Sequence, residues 1–292
     1  MLRQVLLNGL IAGSIYALVA LGFTVIYRTV KFFHFAHGVV YAAGAYLAYT
    51  FTVLLGLSPL LSFLLASASA GAIGVGIDRL VYLPLRKQKA PNLVFLLASF
   101  GVFIFLQNLI QLIYGAQVLS LRTGAVHEGR RILGAVITNT QISILLVSTF
   151  LCLALWFFVQ KTRPGKAMRA VADDPIAASV VGIYSEEIIL ISFALGSVLA
   201  GAAGILISLE TNLTPAMGLE AILKGIIASV IGGIGSIPGA MVGGLFLGLA
   251  ENLGIWGIQA GWKDAIAFGI LILFLLVRRS GILGSKSTTE LP

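Results

Sequence analysis

An all-α, polytopic transmembrane helical bundle of eight or nine spans, with interrupted or re-entrant glycine-rich segments, is the fold class this sequence predicts. Three observations point there. Hydrophobic residues fill 59% of the 292 positions, Asp, Glu, Lys and Arg together fill 10%, and the mean hydropathy is +1.03; a soluble fold needs a far more charged surface. The charges are segregated, which leaves long runs with none. Those runs also lack the alternation of barrel strands, so inside lipid their backbone groups must pair within helices.

The elements follow from these runs, taken in order against the roughly 20 apolar residues that a crossing needs. Charge-free stretches occupy 4–27, 32–77, 90–121, 132–160, 188–209 and 225–250, with a shorter one at 265–277. The first is too long for a signal-peptide core and no small-residue cleavage site follows it, so it is expected to be the first span. The second is long enough for two crossings, turning near Gly56-Leu57-Ser58-Pro59. Cys152, the single cysteine, lies in an apolar run and reads as a small core residue; alone it supports neither a disulfide nor a thiolate metal site.

Orientation follows from lysine and arginine, which mark the cytoplasmic side. Arg28 and Lys31, then Arg79, Arg86, Lys87 and Lys89, then Lys161, Arg163, Lys166 and Arg169, and finally Arg278, Arg279 and Lys286 form groups compatible with one face. That puts the C-terminus in the cytoplasm and the N-terminus outside. The 114–141 loop then lies outside despite Arg122, Arg130 and Arg131. A net charge of +8 would suggest a nucleic-acid partner in a soluble chain; here the bases gather between spans, and no nucleic acid is expected.

The stretch 161–187, KTRPGKAMRAVADDPIAASVVGIYSEE, holds eight of the chain's thirty charged side chains. It carries two helix signals in succession. Gly165 to Ala172 sets Lys166 and Arg169 on one helical face. After Asp173, Asp174 is placed to cap a second helix that has Pro175 in its first turn and stops at Gly182. Ala177, Ala178 and Ser179 are small enough to allow close approach by another protein, with flanking charges to set orientation. The bland reading is a solvated connector that marks topology.

A second segment, LKGIIASVIGGIGSIPGAMVGGLFLGLAENLG (223–254), spaces glycines for close helix contact at Gly235, Gly239 and Gly243 and at Gly244 and Gly248. Gly232 and Gly233 precede a break at Ser236-Ile237-Pro238, which predicts two half-spans or a tight hairpin. Lys224 and Glu251 flank this bend at similar chain distances. They are expected either to pair within the membrane or to sit separately at the headgroup boundary. No strand precedes these glycines and no Gly-Lys-Ser/Thr ends them, which argues against a phosphate loop. Upstream, FFHFAHGVVYAAGAYLAY (32–49) holds another break. Its His34 and His37 share a face if helical, and read as a solvated boundary pair, with proton relay as a second reading. A metal site needs more ligands, and His127 belongs to the opposite side. Breaks followed by glycine-spaced spans at 36–49 and 234–250 hint at two related halves, which points to a translocation path near His37, Gly38, Gly232, Gly233, Gly235, Gly239 and Glu251.

An intramembrane enzyme would need a nucleophile, acid–base pair or metal constellation, and the chain offers none. An ion-coupled secondary transporter would draw on Glu251, Lys224, Glu210 or Glu220. A permease driven by a separate ATPase needs a cytoplasmic docking element, which 161–187 supplies; nothing here resembles a nucleotide-binding loop, and no cofactor is expected.

LNGLIAGSIYALVALGFTVIYR (7–28), HFAHGVVYAAGAY (34–46), GKAMRAVADDPIAASVVGI (165–183), GGIGSIPGAMVGGLFLGLAE (232–251) and GILG (281–284) together resemble permease subunits of bacterial branched-chain amino acid ABC importers. The match runs in order through almost the whole chain, making 1–292 one transmembrane permease domain. The same family also serves urea and short amides. The resemblance implies an inner-membrane protein with a second related permease, two ATP-binding subunits and a periplasmic solute-binding protein as partners. It also implies that 165–182 is the elbow contacting an ATPase. Where the family commonly has asparagine before Phe-Ala-His-Gly and an acidic residue after it, this chain has His34 and Val39, so any polar role there does not carry over. An apolar, glycine-lined pore would leave solute selectivity mostly to the binding protein.

Overall fold

The computed structural model describes residues 1–121, 129–132, 134–278 and 280–284. Arg122, His127, Arg279 and Lys286 lie outside the described residues.

Six helices among the described residues are long and apolar enough to cross a membrane, and the chain is a multi-pass membrane protein. They are α1 (Leu2–Val30), the continuous rod of α3 (Pro59–Ile77) and α4 (Leu83–Lys87), α5 (Asn92–Tyr114), α6 (Asn139–Lys161), α9 (Ser185–Ser208) and α11 (Ile237–Gly254). Three further helices are shorter: α2 (Ala36–Tyr49), α10 (Met217–Gly232) and α12 (Lys263–Val277). One π-helical turn, Thr50–Leu54, extends α2, and another, Asp78–Tyr82, joins α3 to α4. Two short helices, α7 (Arg163–Asp173) and α8 (Pro175–Val180), fill the charged stretch. Among the described residues the extended structure is a small hairpin, β1 (Arg130–Ile132) with antiparallel β2 (Ala135–Ile137), and an isolated bridge between Leu119 and Leu213. The hairpin lies in the expected 114–141 loop, where Gly134 supplies the positive φ of its turn and α6 starts only after Thr138. There Thr138 and Gln141 cap each other reciprocally.

The helix ends gather at two poles. At one, Arg28 faces Asp173 at 3.9 Å, Arg86 binds Glu186 at 2.8 Å, and the Gly281–Gly284 segment meets the end of α10. The groups around Arg28, Arg86, Arg169 and Arg278 therefore share a pole, as charge placement predicts. At the other pole, Gln4 bonds both backbone groups of Val136, Gln141 donates to Glu210 at 2.6 Å, and Leu119 pairs with Leu213.

Glycine sets the spacing between helices. Each of Gly244 and Gly248 in α11 lies directly on the α1 backbone, at Ala17 and Gly13. Gly239 and Gly243 instead meet Gly232 and Ala228 of α10. The spaced glycines thus split between two faces of α11, one for each neighbour, and the α10–α11 break is a tight hairpin. In that turn Gly233 and Gly235 carry positive φ of 111° and 82°, and Ser236 caps α11 by accepting from the Gly239 amide.

Candidate functional site

Two regions concentrate polar chemistry, one at each pole. The first is the elbow. Thr162 caps α7 by accepting from the Gly165 amide, and Pro164 occupies the first turn. Gly165 is buried against the Phe158 and Val159 carbonyls, leaving no room for a Cβ, so α7 folds back tightly on the end of α6. Arg169 donates to the Val159 and Gln160 carbonyls there, and Lys166 stays exposed. Asp174 caps α8 through Ile176 and Ala177 at 2.8 and 3.0 Å, and Gly182 closes it with a φ of 84°. Ala178 is 3% exposed and packs inward. Ala177 and Ser179 stay exposed, and beside them Ile176 and Val180 are 76% and 82% exposed, with Val181 and Tyr184 adjoining. Nearby, Arg86 grips buried Asp78 through two bonds of 2.7 and 3.2 Å and Glu186 at the start of α9. Lys31 lies below the ordinary lysine range, first because it is partly buried and then because of the Arg28 charge.

The second region is a cavity of about 550 Å³ at the opposite pole. Ile11, Ile15 and Val19 of α1 form an apolar wall, with Ile207 and Met217 facing them; Glu210, Glu220, Lys224, Asn252 and Lys263 supply polar groups. Its base is an ion cluster. The Lys224 ammonium lies 2.9 Å from Glu220, 3.3 Å from Asp264 and 3.6 Å from Glu251, and donates to the Tyr16 hydroxyl at 3.2 Å. Tyr16 in turn donates to Glu251 at 2.9 Å. Glu251 is fully buried, so Lys224 and Glu251 form an interior pair rather than two boundary groups. Sequence reasoning reached Lys224, Glu251, Glu210 and Glu220, and the Glu220–Lys224 spacing marks one helix face. It missed Tyr16, which carries no local signal, and Asp264 in the first turn of α12.

The remaining expected path residues lie elsewhere. Gly232, Gly233, Gly235 and Gly239 form the α10–α11 turn at the elbow pole. Gly38 abuts the Gly218 carbonyl between α2 and α10. His34 precedes α2 while His37 is within it, yet their ring centres lie 6.1 Å apart, and both are fully buried rather than solvated. His34 bonds the Tyr82 hydroxyl at 2.9 Å, and His37 packs against Gly22. GILG also has a physical role: the Ile282 and Leu283 amides donate to the Ile231 and Gly232 carbonyls, completing the last turn of α10.

A predominantly helical, multi-pass chain with a structured elbow at one pole and a polar-based cavity at the other has the form of a membrane transport subunit. A family profile described as branched-chain amino acid transport system / permease component matches residues 5–275, and the chain belongs to that family. The high-affinity branched-chain amino acid transport system permease protein BraD of Pseudomonas aeruginosa is 39% identical over 96% of this chain and 95% of its own. LivH of Escherichia coli, of the same description, is 38% identical over 96% and 95%. Among solved structures, PsaBC from Streptococcus pneumoniae in complex with Fab overlays with a TM-score of 0.54, covering 95% of this chain and 92% of that one. At 13% identity, that likeness concerns the fold alone.

Proposed function

We propose that this chain is the permease subunit of an ABC importer that carries branched-chain amino acids across a bacterial inner membrane. Two ATP-binding subunits drive it, a second related permease completes the path, and a periplasmic binding protein delivers solute at the cavity pole. The names of its relatives support the solute class. In this reading the nine longer helices each cross the membrane, the N-terminus is outside and the C-terminus is cytoplasmic; the separation of helix ends into two poles supports that count.

The observation that carries the proposal is the elbow, where the outward aliphatic pair Ile176 and Val180 stands on a bracket held by Gly165, Arg169 and Asp174. An exposed apolar knob on a rigid mount suits a partner that must push. The elbow links the end of α6 to the start of α9, and α9 packs against α1 and runs to Ile207 in the cavity wall. A push from closing ATPases thus reaches the cavity through α9. The test is Ile176→Glu with Val180→Glu in a reconstituted importer. The variant is expected to stay folded while losing ATPase co-purification and ATP-dependent leucine uptake. Uphill uptake by the isolated permease, without ATPase subunits, would overturn the proposal.

A further inference from the structure

The cavity beside Lys224 has a charge arrangement that favours a particular kind of solute. Three carboxylates surround one ammonium there: Glu220 at 2.9 Å, Asp264 at 3.3 Å and Glu251 at 3.6 Å. The cluster is also short of donors, since Glu251 keeps one oxygen, Oε1, buried with no hydrogen-bond partner among the described residues. The partners differ in freedom. Glu251 is held by Tyr16 and enclosed by protein, whereas the Glu220 side chain is 66% exposed and lines the cavity.

Only the Glu220 end of this pair is exposed, and Lys224 keeps Glu251 and Asp264 when Glu220 moves away, so the two can separate without leaving the buried ammonium unpaired. A neutral solute such as urea offers no ionic replacement for that pair. A zwitterion does: its ammonium can take the Glu220 carboxylate and its carboxylate the Lys224 ammonium, so every charge keeps a partner and the net charge is unchanged. Next to these groups lies the apolar wall of Ile11, Ile15 and Val19. The cavity falls within the size range of small-molecule sites. We infer that the permease itself holds an α-amino acid here, its head group inserted between Glu220 and Lys224 and its aliphatic side chain on the α1 wall. This deepens the importer reading and rests on it. It also gives the permease a share of the selectivity that an apolar pore would leave to the binding protein.

The test uses the assembled permease–ATPase complex in lipid nanodiscs, without the binding protein, and reads solute contact by saturation-transfer NMR. The probes are leucine, 4-methylpentanoate, isopentylamine and urea. Leucine is expected to bind, and loss of either charged group to weaken binding by about tenfold, the change that one ionic contact of about 1.4 kcal/mol provides. Glu220→Gln should weaken leucine binding by a similar factor at an unchanged unfolding midpoint, and Glu220→Asp by less. Absence of leucine contact, equal contact with urea, or indifference to Glu220→Gln would overturn the inference. Uptake by the complete importer separates the two readings. Leucine uptake without contact in the cavity removes this inference alone, and uptake of urea in place of leucine removes the branched-chain amino acid assignment on which it rests.

Discussion

Lys224 shows how one side chain can hold several helices together. Its ammonium joins Glu220 on its own helix, Glu251 on α11 and Asp264 on α12, and touches Tyr16 on α1. Breaking a buried pair from one side leaves an uncompensated charge at a cost of about 3–5 kcal/mol, whereas removing both members costs much less. Lys224→Met should therefore lower the unfolding midpoint in detergent sharply, and adding Glu251→Gln should restore much of it. Exchanging the two charges should not help, because a carboxylate at position 224 would face Glu220 and Asp264. The glycine contacts give a second expectation at this scale. A methyl group at position 248 would run into the Gly13 backbone, so Gly248→Ala should destabilise by about 1–3 kcal/mol in the same assay, as overpacking does.

The elbow, as an element, is readable because its signals are local. Asp174, Pro175 and Gly182 each act within a few residues and bound α8 as expected, whereas α7 starts at Arg163, two residues before the expected Gly165, because Thr162 caps it and Pro164 sits in its first turn. Which face of α8 points outward is less readable. Six residues give too few turns for a periodic pattern, so the small residues Ala177, Ala178 and Ser179 suggested one docking face, of which the fold turns Ala178 inward and leaves the other two exposed beside Ile176 and Val180. Thr162→Ala should cost about 0.5–2 kcal/mol through the lost cap and lower uptake partially. Ile176→Glu should lower uptake without a stability cost. Thermal unfolding and transport measured on both variants will separate mounting from docking.

Across the whole molecule, composition and charge placement made the helical membrane class legible, and long apolar runs located most of the helices. The charge-free runs extend past the helix ends after Tyr114 and before Asn139, where the expected 114–141 loop lies, since the absence of charge does not specify helix. The cavity was only partly legible because its groups come from chain positions as distant as Tyr16 and Asp264, which only packing brings together. The two poles give a direct expectation for topology. In intact cells, a cysteine at Arg131 should react with a membrane-impermeant maleimide, while one at Lys166 should react only after permeabilisation, in a Cys152→Ala background. The reverse pattern would invert the assigned orientation.

The bonds from Ile282 and Leu283 to the last turn of α10 carry a consequence for how transport can be watched. A helix terminus whose carbonyls are claimed by a distant stretch of its own chain cannot fray alone; the tail must let go first. The deuteration rate of those two amides is therefore a built-in clock for the bend, and any stage of the cycle that loosens it should speed their exchange while the surrounding helices stay protected.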